Sequence, residues 1–331
     1  MPITKAQQVA EPAPFIAGKN RIINGDFSIW QRGATFSNPN NGSYLADRFN
    51  YYFAASPTTW SFSRESFTPG NVIPGYESQY FFRSTPTNAN ANTIYDISQA
   101  IEDVRTFANQ TVTFSFWAKA SSSSTLNVYY YQSFGTGGSS AAGGPLVPFT
   151  LTTSWQRFTY TFIVPTISGK TIGPGSNLLM ALRIPATTGT VVDLWGIQLE
   201  AGSVATPFVP AGGGAQQAEL ALCQRYYQRP SNTSAYALYG YGTARSTTQA
   251  NIFIQFPVPM RIAPTAVDFS TLQITVPGLS GEAVNSLFLD STSNLGADII
   301  CNVSSGLTSN RSYAIGNRNS TSGYLGFSAE F

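Results

Sequence analysis

Histidine is absent from this 331-residue chain. That absence removes the Ser-His-Asp and Cys-His nucleophile arrangements, every His-containing zinc or iron site and the common imidazole acid–base. Cysteine is nearly absent too. Cys223 and Cys301 are too few for a four-cysteine zinc site, and synthesis in a reducing compartment favours two buried free thiols over a cross-link. Charged residues are only 10% of the chain, against the usual figure of about a quarter. The surface must therefore be built from Ser, Thr, Asn, Gln and Gly. A net charge of +2 with no basic run gives no electrostatic footprint for nucleic acid. No stretch approaches the roughly 20 apolar residues of a spanning helix, so no membrane insertion is expected. Met1 to Pro14 holds neither a continuous apolar core nor a cleavage pattern, so no secretory signal is expected.

Other catalytic patterns are missing or incomplete. Ser168-Gly169-Lys170-Thr171 has the tail of a P-loop, but Val164 stands where the upstream glycine should be and no helix follows. Glycoside hydrolysis needs only two carboxyl groups at a fixed separation. Asp47, Glu65, Glu77, Asp96, Glu102 and Asp103 are candidates, yet no spacing singles out a pair, and one acid of Glu102-Asp103 is expected to pair with Arg105. No catalytic residue is assigned.

Aromatics, by contrast, reach 14%, and they sit in alternating patterns. Val112, Phe114, Phe116 and Ala118 oppose Thr113, Ser115, Trp117 and Lys119. Leu126, Val128 and Tyr130 oppose Asn127, Tyr129 and Tyr131, and Phe158, Tyr160 and Phe162 oppose Arg157, Thr159 and Thr161. Such strands, separated by Gly, Pro, Asn and Ser clusters, predict a two-sheet sandwich or jelly roll over 20–210. Gly135 to Gly144 reads as a mobile surface loop. Residues 1–19, with three prolines, read as an extended arm: either a disordered tail or a segment that orders on a neighbouring subunit. Gly212-Gly213-Gly214 is a hinge before a helix expected from Ala215 to about Gln228, within a linker of 211–230. That helix either lies on a domain face or packs against copies of itself in a trimer. From 231 to 331 strand patterns resume, Ala250, Ile252, Ile254, Phe256 and Val258 among them, and predict a second, smaller β-sandwich whose last strand runs to the terminus. The fold class is all-β.

Two kinds of block carry a resemblance. Asn20-Arg21-Ile22-Ile23-Asn24-Gly25-Asp26-Phe27-Ser28 and Val191-Val192-Asp193-Leu194-Trp195-Gly196-Ile197-Gln198-Leu199-Glu200 resemble the bookends of the carbohydrate-binding jelly rolls of families 4, 9 and 22, whose first and last strands pair. Asn24 to Gly33, Ala46-Asp47-Arg48-Phe49, Phe114 to Lys119, Ser154-Trp155-Gln156-Arg157, Glu200 to Phe208 and Leu222-Cys223-Gln224-Arg225-Tyr226-Tyr227 look like blocks of bacteriophage tail-fibre and virion-appendage proteins that carry such a module.

The resemblance implies a non-enzymatic virion structural protein, displayed on the virion surface, that helps attach a tail fibre or similar appendage to host-surface polysaccharide. Its implied partners are other virion proteins through the arm and two copies of itself in a homotrimer. A capsid head-decoration or cement protein is the alternative in the same setting, and a glycan-active enzyme or its accessory module is the alternative from another class. In such modules aromatic rings stack on sugars while polar groups meet hydroxyls. The matching candidates here are Trp117, Tyr129 and Tyr131 with Lys119, Arg157 and Arg183; the same face could instead pack against a neighbour. Trp30, Trp155 and Trp195 are expected in packing. No cofactor is required, but the resemblance implies a structural calcium held by Asp26, Asp193 and Glu200. Leu194 follows Asp193 where many calcium-binding relatives have a second acid, which favours the alternative that Asp193 caps a turn or pairs with an arginine.

Overall fold

The computed structural model describes residues 18–54, 59–70, 73–88, 94–230 and 234–331. The chain forms two compact units: residues up to Ser28 with Tyr52–Glu219, and Ile29–Tyr51 with Leu220–Phe331. Residues 29–51, which the sequence pattern places in the jelly roll, thus group with the C-terminal part. Most of the expected arm, residues 1–17, lies outside the described residues.

In chain order the strands up to residue 201 are β1 (Thr35–Ser37), β2 (Asn50–Ala54), β3 (Thr59–Ser66), β4 (Tyr80–Asn88), β5 (Ile94–Glu102) and β6 (Thr111–Ala120). They continue as β7 (Ser124–Ser133), β8 (Ala142–Gly143), β9 (Val147–Leu151), β10 (Gln156–Ile163), β11 (Asn177–Arg183) and β12 (Val192–Ala201). The first unit is a jelly-roll β-sandwich. One sheet runs β3-β4-β12-β6-β10 and the other β2-β5-β11-β7, with β8 and β9 along β7. Period-2 alternation explains why they pack face to face. Phe114, Phe116, Leu126 and Val128 are fully buried between the sheets, and Tyr130 of β7 stacks on Phe162 of β10 at 4.3 Å.

The opening block is a turn rather than a strand, yet it lies along β12. Arg21 N donates to Leu199 O and Ile197 N to Gly25 O, and the Asn20 amide donates to Ile197 O and Val209 O. Gln99 receives the Ile23 amide and donates to its carbonyl, each at 2.8 Å. Gly25 is required there, since a Cβ would lie 2.1 Å from Ile197 O. The Gly135–Gly144 segment is tied down by backbone bonds from Thr136 N to Pro174 O and Ser139 N to Thr171 O. The Ser168–Thr171 segment is a turn, with Lys170 N donating to Ile167 O, and no helix follows it.

The helix α1 (Gln216–Gln224) is shorter than expected. Tyr227 and Gln228 leave it to form β13 (Tyr227–Gln228), because Tyr227 pairs with Ser328 and its hydroxyl donates to the Asp268 carboxylate at 3.0 Å. The second unit's further strands are β14 (Leu238–Ala244), β15 (Gln249–Gln255), β16 (Ala266–Ser270), β17 (Leu272–Thr275) and β18 (Glu282–Ala283). β19 (Ser286–Ser293), β20 (Gly296–Asn302), β21 (Ser312–Asn317) and β22 (Tyr324–Ser328) complete it. They form a three-stranded sheet β13-β22-β16 and a seven-stranded sheet β18-β17-β21-β14-β15-β20-β19. Ala250, Ile252 and Ile254 are buried as the alternation predicts. The strand stops before Phe256-Pro257-Val258-Pro259, where the prolines lack the N–H that a ladder needs, and β22 stops before the terminus. Neither cysteine is in a disulfide and both are buried; burial pushes the Cys301 thiol up to about 12.

Three sequence-distant blocks meet at the chain's last residues within this unit. Arg48, buried, forms an ion pair with Glu330 and lies 3.4 Å from the centroid of Tyr226. Arg32 sits 3.5 Å over Tyr227 and within 3.7 Å of Asp47. Arg261 donates to Ala329 O and Glu330 O. Cation–π contacts and charge pairing together compensate the buried guanidinium groups.

Candidate functional site

The six residues expected to form one sugar platform are divided between the two outer faces of the sandwich. Trp117 and Lys119 stand on β6 and Arg157 on β10, where Arg157 is registered against Trp117. Tyr129 and Tyr131 stand on β7 and Arg183 on β11, in the other sheet. The single platform is therefore corrected to two surfaces, because the strands carrying its two halves belong to opposite sheets.

The β6 face is covered by its own loops. Trp117 meets Trp195 in register, and both belong to a cluster with Phe67, Ile73, Tyr76, Phe81, Trp155 and Phe208. Arg157 donates to Ser115 Oγ at 3.1 Å and to the Thr206 carbonyl, while Lys119 pairs with Asp193 at 3.4 Å. Trp155 and Trp195 are packing residues, as expected, and so is Trp117.

The β7 face is open. Tyr131 is 44% exposed. Tyr129 donates its hydroxyl to Asp96 at 2.7 Å, and Arg183 grips the same carboxylate at 2.9 and 3.2 Å. Burial, then the charge of Asp96, pushes the Tyr129 hydroxyl well above its ordinary range. Across the strands Ala181 and Ser98 lie in line with Tyr129, while Leu179 and Gly143 flank Tyr131 on either side. A Cβ on Gly143 would lie 3.0 Å from the Tyr131 ring. An exposed ring, a fixed ring and a polar clamp are what a flat, hydroxyl-rich ligand needs.

Sequence patterns alone miss a second feature, a cavity of about 770 Å³ within the first unit. Asp26, Tyr76, Glu77, Trp195, Phe208 and Glu219 are among its lining. A bulge between Trp195 and Gln198 places Gly196 at φ +64°, the left-handed region that suits glycine. The rings of Tyr76 and Phe208 lie 5.1 and 4.9 Å from that of Trp195, and the Phe208 amide donates to the Tyr76 hydroxyl. Asp26 sits in a turn in which Asn24 and Phe27 both have positive φ, an uncommon state for non-glycine residues. Burial raises the Asp26 carboxyl above its ordinary value, opposed by hydrogen bonds from Ser28. Burial also raises Glu219, with Asp26 adding repulsion. Both Glu219 oxygens accept backbone amides, from Asn24 and Gly212, which gives Glu219 a positioning role.

The acids expected to hold calcium do not fit that ion. Asp193 is taken by Arg83 at 2.8 and 2.9 Å and by Lys119. Glu200 pairs with Lys19 at 3.2 Å and accepts from Thr206 and Gln198. Asp26 accepts from Ser28. Among the described residues no group of three His, Cys, Asp or Glu side chains could hold a metal. Of the acids considered for hydrolysis, Asp96 is held by Arg183 and Asp103 by Arg105 at 3.1 Å, the latter as expected. No helix among the described residues is long and apolar enough to cross a membrane.

No family model matches the chain, and a search among curated proteins yields no match. Solved structures similar to it include a family 4 carbohydrate-binding module, 16% identical, covering 54% of this chain and 98% of that one, with a TM-score of 0.31. The CBM22-1 xylan-binding domain of Paenibacillus barcinonensis Xyn10C is 12% identical, with 59% and 100% coverage and a TM-score of 0.34. The enzymatically active domain of bacteriophage CBA120 tailspike protein 4 is 12% identical, with a TM-score of 0.35. This chain matches 56% of its own length to 22% of that one. Likeness at this level carries no conclusion about ligand or activity.

Proposed function

We propose that this chain is a non-enzymatic glycan-attachment subunit of a virion appendage, such as a tail fibre, and that its β7 face meets host-surface polysaccharide. The observation that carries the reading is the exposed Tyr131 ring beside Tyr129, which Asp96 and Arg183 hold in place. A side chain left 44% exposed on an otherwise well-packed sandwich is available to stack on a sugar. The neutral, hydroxyl- and amide-rich composition and the resemblance of the sequence blocks to those of phage fibre proteins support the same reading.

The proposal includes the arm as the anchor to other virion proteins, the linker helix, the C-terminal β-domain and a homotrimeric assembly on the virion surface. Tyr241 and Phe253, paired across β14 and β15 and 62% and 52% exposed, supply an apolar surface in the second unit for association between copies. Binding of the full chain to host-surface polysaccharide, compared with that of Tyr131→Ala, tests attachment. Wild-type binding by a folded Tyr131→Ala variant would overturn this face as the site. Light scattering tests assembly, and a monodisperse monomer at micromolar concentration would overturn the trimer.

A further inference from the structure

We propose that the cavity beside Asp26 is a separate binding site for a protonated amino sugar, with Asp26 facing the ammonium group, Tyr76 and Phe208 the ring, and the Trp195 indole N–H an oxygen. Four observations converge on this ligand. The first is charge. The lining carries the carboxyl groups of Asp26, Glu77 and Glu219, and its cation Lys19 is already engaged by Glu200 at 3.2 Å. The second is an orphaned donor. Trp195 is 3% exposed, and its Nε1 has no hydrogen-bond partner among the described residues, a state that costs free energy until an acceptor arrives.

The third observation is the division of work among the acids. Glu219 spends both oxygens on backbone amides, and Glu77 accepts from Gly70 N at 2.7 Å. Both hydrogen bonds that Ser28 makes to Asp26 go to Oδ1. Asp26 and Glu77 thus each keep one oxygen free, and of the two Asp26 is half-buried whereas Glu77 is exposed to water, which makes Asp26 the acid that gains most from a cationic partner. The fourth is the wall. Four aromatic residues, Tyr76, Tyr80, Trp195 and Phe208, line a space of about 770 Å³, within the range of small-ligand pockets, and rings attract both cations and the apolar faces of sugars.

No simpler ligand satisfies all four. A bare metal ion would leave the indole N–H unpaired, a neutral sugar would leave the carboxylate charge uncompensated, and an alkylammonium ion offers no oxygen. An amino sugar carries the positive charge, the acceptor oxygens and the apolar ring face together. The inference rests on the glycan reading only for the choice of a sugar, since none of its residues lies on the β7 face.

The test is titration of the full chain with glucosamine, glucose, N-acetylglucosamine and choline, read by calorimetry and tryptophan fluorescence. Glucosamine should bind saturably. Glucose and N-acetylglucosamine, which lack the charge, should bind about tenfold more weakly, the loss expected for one charge-assisted hydrogen bond. Asp26→Asn should weaken glucosamine by a similar factor. Trp195→Phe, which keeps a ring and removes the N–H, should weaken it several-fold and keeps the test decisive if Asp26→Asn does not fold. Equal binding of glucose or N-acetylglucosamine would overturn the ammonium assignment, and equal binding of choline would overturn the sugar. No glucosamine binding by the folded parent would overturn the site. Tyr131→Ala should keep glucosamine binding, so failure of the β7 face and failure of this cavity are read separately.

Discussion

On β6 the outward residues Thr113 and Ser115 are buried and Trp117 lies in an aromatic cluster, whereas on β7 the corresponding Tyr131 is 44% exposed. The two strands follow the same alternation in the same sandwich. The difference comes from the loops. The segment after β3 supplies Phe67, Ile73 and Tyr76, and the segment after β12 supplies Thr206 and Phe208, which close over β6. One outer face has become a second small core, and the other remains a surface. Aromatic residues on the first should be needed for folding and those on the second for binding.

The largest expected effect breaks the covered face. Trp195→Ala should destabilise the protein by about 3–5 kcal/mol, the usual cost of removing a large buried aromatic side chain. Denaturant unfolding measures this directly. A loss below about 1 kcal/mol, as at an ordinary surface site, would mean that the loops do not hold this face closed.

Next comes the ion cluster at the edge of the same face. Asp193→Ala leaves Arg83 and Lys119 without their carboxylate, but these side chains are 34% and 30% exposed, so water screens them and the cost should be about 1–2 kcal/mol. Since Asp193 holds two cationic side chains in place of a metal, a calcium chelator should leave the melting temperature of the parent unchanged. A chelator-induced drop would show that the cluster rearranges around calcium.

The effect of pH separates the covered face from the second unit. For Glu200, burial raises the carboxyl pKa, but hydrogen bonds from Thr206 and Gln198 outweigh it and hold the group below its ordinary 4.5. Its stabilisation is therefore present above that value and is lost as pH falls through the folded pKa. Asp47 has the opposite sign. Burial pushes it from 3.8 to about 6 despite Arg32 and Gln31, so its contribution is full below 3.8 and is lost as pH rises through about 6. Glu200→Gln should flatten the acid limb of the stability profile, and Asp47→Asn the slope between about pH 4 and 6. Melting temperatures across that range check both, and an unchanged Asp47→Asn slope would place the titration elsewhere.

Alternation made the strands around Phe114, Val128 and Phe162 legible, along with their inward faces, because a period of two fixes which side chains share a side. It could not show which strands belong to the same sheet. That is why the pattern alone makes Trp117 and Tyr131 neighbours, and why it does not show the covering of one face by Phe67, Ile73, Tyr76, Thr206 and Phe208. The end of α1 was misplaced for a related reason. Tyr226 and Tyr227 continue a helical pattern locally, but pairing with β22, about 100 residues away in sequence, outweighs local propensity. Arg48 and Glu330 are 282 positions apart, and no local signal joins them. The cavity depends on a bulge and two loops, so although the Asn24–Ser28 turn, Glu77, Trp195 and the block ending in Pro207-Phe208 each stand out in the sequence, no local signal joins them.

The smallest effect on stability is expected where the effect on binding should be greatest. Tyr131→Ala removes an exposed ring whose loss should change stability by less than about 0.5 kcal/mol, while polysaccharide binding should largely disappear because the stacking partner is gone. Tyr129→Phe sharpens the point. It keeps a ring on the same face but removes the hydroxyl bond to Asp96, leaving Arg183 as the clamp, so it should weaken binding less than Tyr131→Ala does. Calorimetric titration with host-surface polysaccharide gives the binding and a thermal melt gives the stability. If Tyr131→Ala instead lowers stability by several kcal/mol, the β7 face resembles the β6 face after all, and glycan contact must be sought at the Asp26 cavity or in the second unit.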